Sequence, residues 1–442
     1  MQDNDLDKEF IYNLFSKEEK LKKGIKQGLI VDLVDSLLFY GIKNTASDVH
    51  IEQTGQDVRI RYRIDGVLYD QSSISKEDGA AVISRLKILS SLDISEKRIP
   101  QDGKFRVLIN KNLQNNLYEN NNYVDLRIST FPSIHGEKMV VRILDRAQNN
   151  IKLGSLGMGN HILKDLYSII DRPQGFFLVT GPTGSGKTTT LYSILSHLNS
   201  SEKNIITMED PVEYNLDGIT QSQINEKSGF TFEKGLRSIL RQDPDIVMVG
   251  EIRDKQTAQI AIEAALTGHL VLSTLHTNDS IGAVTRLIDM GVEPFLINAS
   301  LSGVLAQRLV RKLCSYCKQE DFMTIQENQY LKDQHIGLDQ LGAAGTCYPS
   351  LDEGSSYFKI DKLYRPVGCL NCLGLGYKSR IGVFELLKLD DNIRDLILTK
   401  GSSVDIKNYV ISNDMKFLIN DGINKVKEGL ISLEEFFKII NL

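Results

Sequence analysis

Phe176-Phe-Leu-Val-Thr-Gly-Pro-Thr-Gly-Ser-Gly-Lys-Thr-Thr-Thr190 reads as a short buried strand (Phe176 to Thr180), a glycine-rich loop, and a helix whose apolar face begins at Leu191 and Ile194. Gly181, Gly184, Gly186, Lys187 and Thr188 fill the pattern G-x-x-x-x-G-K-[ST] without a substitution. Glycines at these places let successive backbone N–H groups turn inward, and the helix start adds the positive end of its dipole. Gly181, Pro182, Thr183, Gly184, Ser185, Gly186, Lys187, Thr188 and Thr189 are therefore the expected contacts of a nucleoside triphosphate. Lys187 reaches the β- and γ-phosphates in this reading, and the Thr188 hydroxyl ligates Mg²⁺. The alternative, a glycine-rich turn with no ligand, does not account for every position being filled between flanks of the right type.

Working outward, short apolar runs alternate with helical patterns. Strands are expected near 176–180, 205–208, 246–249 and 270–274, and helices at about 187–198, 231–241 and 254–267. Apolar runs without alternation suit a parallel sheet covered on both faces, an α/β arrangement. Ligands of such sheets sit at the carboxyl ends of the strands. Ile246-Val-Met-Val249 leads into Gly250-Glu251, which makes Glu251 the candidate that orients the attacking water. Glu209 also ends a buried strand, as a candidate for water or Mg²⁺ contact or as a structural residue. His269 and His276 bracket Leu270-Val-Leu-Ser-Thr-Leu275 and read either as a γ-phosphate-sensing edge or as structural histidines. Arg237 and Arg241, i and i+4 on one helix face, are candidate phosphate-neutralising groups or partners in surface salt bridges. Arg127 and Arg142 are further candidates outside this core.

Ahead of the core, apolar residues at helical spacing run from Leu29 to Tyr40. Strand-like alternation follows at Asp48–Glu52 and Asp57–Asp65, where Val58, Ile60, Tyr62 and Ile64 face one way and Arg59, Arg61 and Arg63 the other. A helix (about 78–92), a loop from Asp93 to Gly103, and strands at Lys104–Ile109, Val124–Thr130 and Lys138–Leu144 complete an α+β domain. Asn110 to Asn122 is expected to be a mobile hairpin tip, and Phe10, Leu14 and Leu21 to form one face of an N-terminal helical arm. Residues 145–172 read as a linker carrying one helix.

The 442 residues are 41% hydrophobic and 25% charged with a net charge of −5, ordinary globular material with no basic excess for nucleic acid. No run approaches the roughly 18 apolar residues of a spanning helix, and the acidic N-terminus is not a secretory signal. Five cysteines in such a chain point to a reducing cytosol and metal binding. Cys314, Cys317, Cys369 and Cys372 form two C-x-x-C pairs and supply the four thiolates of a closed, structural zinc site. Cys347 is left over as a free thiol.

Taken together the chain resembles the type II secretion assembly ATPases of the secretion/type IV pilus ATPase family, from about residue 40 to 440. The resemblance rests on Ala46-Ser-Asp-Val-His-Ile-Glu52, Asp93-Ile-Ser-Glu-Lys-Arg-Ile-Pro-Gln-Asp-Gly103, the phosphate loop and Glu209-Asp-Pro-Val-Glu213. Leu240-Arg-Gln-Asp-Pro-Asp245, Val249-Gly-Glu-Ile-Arg-Asp254 and Thr267-Gly-His-Leu-Val-Leu-Ser-Thr-Leu-His276 add to it. The four cysteines separate this branch from the retraction motors, which lack them. The resemblance implies a RecA-like P-loop ATPase domain after a smaller α+β (PAS-like) domain, with a zinc-binding insertion and a helical C-terminus. The corresponding boundaries are an arm at 1–40, the α+β domain at 41–147, a linker at 148–160 and the ATPase domain at 161–310. A zinc subdomain at 311–375 and a helical subdomain at 376–442 follow.

It further implies ATP, Mg²⁺ and Zn²⁺ as ligands. Glu251 is then the catalytic carboxylate with Glu209 assisting, Arg127 and Arg142 reach the γ-phosphate from the small domain, and Arg237 and Arg241 lie in the nucleotide core. A homo-hexameric ring, cytoplasmic and held peripherally at a bacterial inner membrane by platform proteins, would drive pseudopilus assembly without touching nucleic acid. A type IV pilus extension motor is the near alternative. A nucleic-acid translocase ring and a nucleotide-locked scaffold without turnover are the readings from other classes.

Overall fold

The computed structural model describes residues 11–14, 28–109, 123–145, 151–327, 362–399, 402–413 and 415–440. The chain divides into two compact units, Met1–Asn150 and Ile151–Leu442. The segment 110–122 and Cys347 lie outside the described residues.

The first unit runs β1 (Ile11–Leu14), α1 (Leu29–Lys43), β2 (Asp48–Gln53), β3 (Val58–Ile64), β4 (Val67–Ile74), α2 (Lys76–Leu89), β5 (Gln101–Ile109), β6 (Tyr123–Ser133) and β7 (Gly136–Asp145). Its seven-stranded sheet has the order β1-β5-β6-β7-β2-β3-β4. All neighbours are antiparallel except β1, which lies parallel to β5. Ile11–Leu14 is thus a strand where a helical arm was expected: pairing to a sheet edge overrides a weak helical pattern.

The apolar residues of β3 do face one way. Val58, Ile60 and Tyr62 are buried with Val124, Leu126 and Val141 beneath Leu38, Ile42, Val82 and Leu86 of the two helices. β4 carries too few apolar residues to announce itself, and it forms an exposed polar edge.

The opposite face is charged, and the register lines its charges up. Lys104 opposes Arg127, Arg127 opposes Arg142, Arg142 opposes Asp48, and Asp48 opposes Arg63. Arg142 Nε donates to Asp48 Oδ1 at 3.0 Å, and Arg63 Nε lies 3.8 Å from Asp48 Oδ2.

The second unit contains α3 (Asn160–Ile170), β8 (Gly175–Thr180), α4 (Lys187–Leu198), β9 (Ile205–Glu209), β10 (Thr220–Gln223), α5 (Phe232–Ile239), β11 (Ile246–Val249), α6 (Lys255–Leu266) and β12 (Leu270–Leu275). After these come α7 (Ser280–Asp289), α8 (Pro294–Ser300), β13 (Leu301–Leu313), β14 (Gln319–Asp321), β15 (Leu363–Arg365) and β16 (Tyr377–Lys388). The chain closes with α9 (Asp391–Leu398), α10 (Ser403–Ser412), α11 (Leu418–Lys427) and α12 (Leu433–Ile440).

The main sheet has the order β10-β9-β11-β12-β8-β13-β16. It is parallel except for β16, which runs antiparallel to β13. Neighbouring strand residues serve opposite layers, as a doubly covered sheet demands. Phe176 and Leu178 pack with α6, α7 and α8; Phe177 and Val179 pack with α3 and α4.

Three stretches differ from expectation. Residues 148–160 were read as a linker, yet Leu153 and Met158 are buried with α3 in the layer that backs the phosphate-loop helix. β13 and β16 were not foreseen. Residues 376–442 are not wholly helical, because β16 completes the main sheet before α9 to α12 begin. Both strands carry polar residues in their buried middles, Gln307, Arg308 and Glu385, which break the apolar signature of a core strand. Their far ends form a separate core with α11 and α12 around Val310, Val383, Ile423 and Phe436.

One consequence concerns acid stability of the first unit. Burial alone would push the Glu52 carboxyl up, but hydrogen bonds from Arg61 (2.6 Å) and Lys138 (2.7 Å) and their charges hold it down at about 2, against an ordinary 4.5. The stability this adds is complete above the unfolded value and is lost as pH falls from about 4.5 toward 2. Glu52→Gln should flatten that segment of the stability profile, read as urea-dependent hydrogen exchange in β2 and β3. An unchanged slope in the variant would contradict it.

Candidate active site

The loop leaves β8 at Thr180 and enters α4 at Lys187. Gly181 has φ +149°, and a Cβ there would sit 2.5 Å from both the Gln307 carbonyl and Ser185 Oγ. Gly186 has φ +90°, and its Cβ would meet Gln307 Nε2 at 2.7 Å. Handedness and space therefore both require glycine at these two places. Gln307 clamps the loop from β13: its Nε2 donates to the Ser185 carbonyl at 2.7 Å, and its Oε1 accepts from Thr190 Oγ1 at 2.7 Å.

The loop fits a triphosphate. No side chain caps α4, so its first N–H groups are left for a ligand's oxygens. Ser185 Oγ is buried without a hydrogen-bond partner. Lys187 Nζ donates to the carbonyls of Gly181 (2.8 Å) and Pro182 (3.0 Å), beside the same cradle. Burial holds the Lys187 ammonium below its ordinary pKa; nearby Glu251 opposes this, and Arg308 adds to it. Thr188, one residue on, is exposed in the first turn of α4.

Parallel strands bring their carboxyl ends to one edge, and this assembles the rest. β12 is in register with β8, Leu275 opposite Thr180. The Thr180 and Thr277 hydroxyls lie 2.7 Å apart, and the Thr277 N–H donates to Thr180 Oγ1 at 3.0 Å. Next in line, His276 Nε2 lies 3.2 Å from Glu251 Oε2. Arg253 bonds the other oxygen of Glu251 and lies 3.5 Å from Asp210. Burial pushes the Glu251 carboxyl up, but Arg253 and His276 outweigh it and keep the group ionised below the usual carboxylate range. A fixed, accepting carboxylate at the mouth of an anion cradle can orient water.

The other sequence candidates separate. Glu209 ends β9 on the same edge but is buried, its oxygens accepting from Tyr192, from Thr207 Oγ1 at 2.5 Å and from Gln221 Nε2 at 3.1 Å. Tyr192 belongs to α4, so Glu209 braces the helix that carries Lys187. His269 precedes Leu270, which pairs with Gly175. It therefore sits at the opposite edge from His276, where its Nδ1 donates to the Ala264 carbonyl at 2.9 Å and closes α6. The two histidines do not form one edge. Arg237 faces Glu233 at 3.4 Å on the exposed side of α5, and Arg241 folds back onto the Arg237 carbonyl at 2.7 Å. Arg127 and Arg142 stand side by side in the first unit.

Three residues in the cluster were missed. Arg253 was visible as a charge two places after Glu251. Gln307 and Arg308 were visible only as a polar pair inside the apolar run Leu301–Leu313. Arg308 is buried, its guanidinium donating to the Asn278 carbonyl at 2.6 Å and the Gln307 carbonyl at 3.1 Å.

A second centre lies at the far end of β13. The sulfurs of Cys314, Cys317, Cys369 and Cys372 all lie within 4.8 Å of one another, with Cys314–Cys369, Cys317–Cys372 and Cys369–Cys372 at 3.7 to 3.9 Å. Tetrahedral zinc with bonds of about 2.3 Å needs sulfurs about 3.8 Å apart. Backbone N–H groups of Gly368, Cys369 and Gly376 approach the sulfurs of Cys317 and Cys372 at 3.2 to 3.3 Å, as suits thiolates. The donor set fits a structural zinc ion.

A profile of the family described as "Type II/IV secretion system protein" matches residues 24–438. The "Type II secretion system ATPase E" of Vibrio cholerae serotype O1 is 44% identical over 99% of this chain and 81% of its own length. The "Type IV pilus assembly ATPase PilB" of Myxococcus xanthus is 42% identical over 94% of this chain and 69% of its own. The X-ray structure of the Legionella pneumophila ATPase DotB superposes with TM-score 0.64 over 98% of this chain and 99% of that one. At 20% identity it speaks for the fold alone.

The cysteine geometry predicts about one zinc ion per purified chain by elemental analysis, lost in Cys369→Ser together with the protection of β14 and β15 from hydrogen exchange. Full thiol reactivity in a zinc-free, equally protected chain would contradict it.

Proposed function

We propose a function on one premise: the chain belongs to the type II/IV secretion system protein family. It hydrolyses ATP to ADP and phosphate, and the cycle drives pseudopilus assembly for type II secretion. The observation that carries the chemistry is Glu251, held by Arg253 and His276 on the strand edge where the uncapped start of α4 presents Lys187.

The N–H groups of Gly184 to Thr188 and the Lys187 ammonium hold the β- and γ-phosphates. The Thr188 hydroxyl would hold Mg²⁺, which would neutralise phosphate charge. Glu251 orients the attacking water, and His276 keeps that carboxylate in place. Because the transition state is loose, positioning and charge neutralisation do most of the work. The outstanding need is cationic. Arg127 and Arg142, adjacent on one face of the first unit, are the guanidinium candidates for it, and Arg308 on β13 is another. The working form in this reading is a homo-hexamer on the cytoplasmic side of a bacterial inner membrane, held by platform proteins.

Phosphate release with Mg²⁺ and ATP tests this. Glu251→Gln should retain nucleotide affinity and lose about 10²- to 10⁴-fold in kcat. Arg127→Ala should lose about 10³- to 10⁵-fold. Lys187→Ala should abolish turnover, and release unchanged in Lys187→Ala would refute the assignment of the loop. Likeness to the pilus ATPase keeps pilus assembly as the second reading. Capture of pilus rather than secretion components from membranes by the full chain would select it.

A further inference from the structure

Glu385 is a buried carboxylate that the chemistry above does not use. It lies on β16, and the register Thr180–Ala306–Glu385 places it two strands from the start of the phosphate loop. It is 1% exposed. A carboxylate so deep in a sheet costs several kcal/mol unless its oxygens are matched. Glu385 Oε1 accepts from the Ser280 N–H at 2.7 Å and from Ser280 Oγ at 2.8 Å. Its Oε2 accepts from the Leu418 N–H at 3.1 Å.

Ser280 is the first residue of α7 and Leu418 the first of α11. One carboxylate therefore sits at two helix N-termini, each worth about half a positive charge, and bonds an orphan donor of each.

The two helices lead to different places. Just ahead of α7 lies the segment that carries His276 to Glu251 and Thr277 to Thr180. Asp279 caps α7, accepting from the Gly282 N–H at 2.6 Å, and Thr277 Oγ1 donates to the Asp279 carbonyl at 2.9 Å. This segment is short and tied at both ends. A displacement at His276 must therefore be met at Ser280.

α11 is tied to the same strand a second time, through the Phe384 N–H to Asp421 Oδ2 at 2.8 Å. Two residues past its end, the Gly429 carbonyl accepts from the Nζ of Lys318, the residue that follows Cys317, at 2.6 Å. Glu385 thus bonds both helices, between the nucleotide edge and the cysteine centre.

We propose that Glu385 is a positioning residue that couples the His276–Asp279 segment to α11, so that the nucleotide state at the loop is felt by the C-terminal helices and the cysteine centre. The inference rests on reading residues 181–189 as a nucleotide cradle. Both carboxylate oxygens are needed as acceptors. Glu385→Gln keeps one oxygen for Ser280 and turns an N–H₂ group toward the Leu418 N–H, cutting the link on the α11 side alone.

Hydrogen exchange of the full chain, with and without Mg²⁺ and a non-hydrolysable ATP analogue, reads this directly. In the wild type the analogue should slow exchange at 181–190 and also at 280–284 and 418–422, the last by about threefold or more. In Glu385→Gln the slowing at 181–190 should persist while that at 418–422 disappears, and kcat should fall about tenfold or more with KM little changed. Ser280→Ala, which removes one donor and leaves α11 bonded, should show a reduced response at 418–422.

A wild type that slows at 181–190 but not at 418–422 overturns the coupling, whether or not the variant folds. So does a folded Glu385→Gln that responds as the wild type. Absence of slowing at 181–190 in the wild type defeats the nucleotide reading first, and the coupling with it.

Discussion

The structure turns on an uncapped helix start held open by its neighbours. The first N–H groups of α4 have no side-chain cap, which leaves them to water or to a ligand's oxygens. Gln307 keeps the loop from collapsing, bonding the Ser185 carbonyl and Thr190 at once. Tyr192 and Glu209 brace the next turn of the same helix. Behind it, α3 and the stretch around Leu153 complete a buried layer. Much of the second unit serves to fix one anion cradle.

Charge is then distributed by reach. Glu251 is the acid at the edge with Arg253 and His276 for partners, and it stays ionised. Among the described residues Glu209 is met by the neutral donors of Tyr192, Thr207 and Gln221, which tie it to α4. Glu385 is matched by two helix starts. Three carboxylates on one sheet have three environments, and those environments separate the group that can face water from the two that hold helices in place. The first unit gathers Lys104, Arg127, Arg142 and Arg63 in one row around Asp48.

The legible parts of this were those with local signatures. The loop, its flanking strands and the helices at 187–198 and 255–266 stand in the sequence because short apolar runs, glycine spacing and 3.6-residue periodicity are local properties. The cysteine pairs were legible because ligand type and count nearly suffice to define a site. What escaped was set by register and long-range pairing. His269 and His276 bracket one strand and so lie at its opposite ends, and the pairing of β12 with β8 shows that the His276 end is the one beside the phosphate loop. β13 and β16 conceal themselves because the polar residues that clamp the loop and the two helices sit in their middles. Glu209 read as a site residue because its strand ends at the right edge; the partners that occupy it come from Tyr192 and Gln221, distant in sequence.

The account can be tested most directly by determining the structure of the full chain with Mg²⁺ and a non-hydrolysable ATP analogue. It predicts the γ-phosphate within hydrogen-bond reach of the Gly184–Thr188 N–H groups, with the Lys187 ammonium moved from the Gly181 and Pro182 carbonyls onto phosphate. It also predicts Glu251 facing the γ-phosphorus. A nucleotide seated elsewhere, with Lys187 still bonded to its own loop, would contradict it.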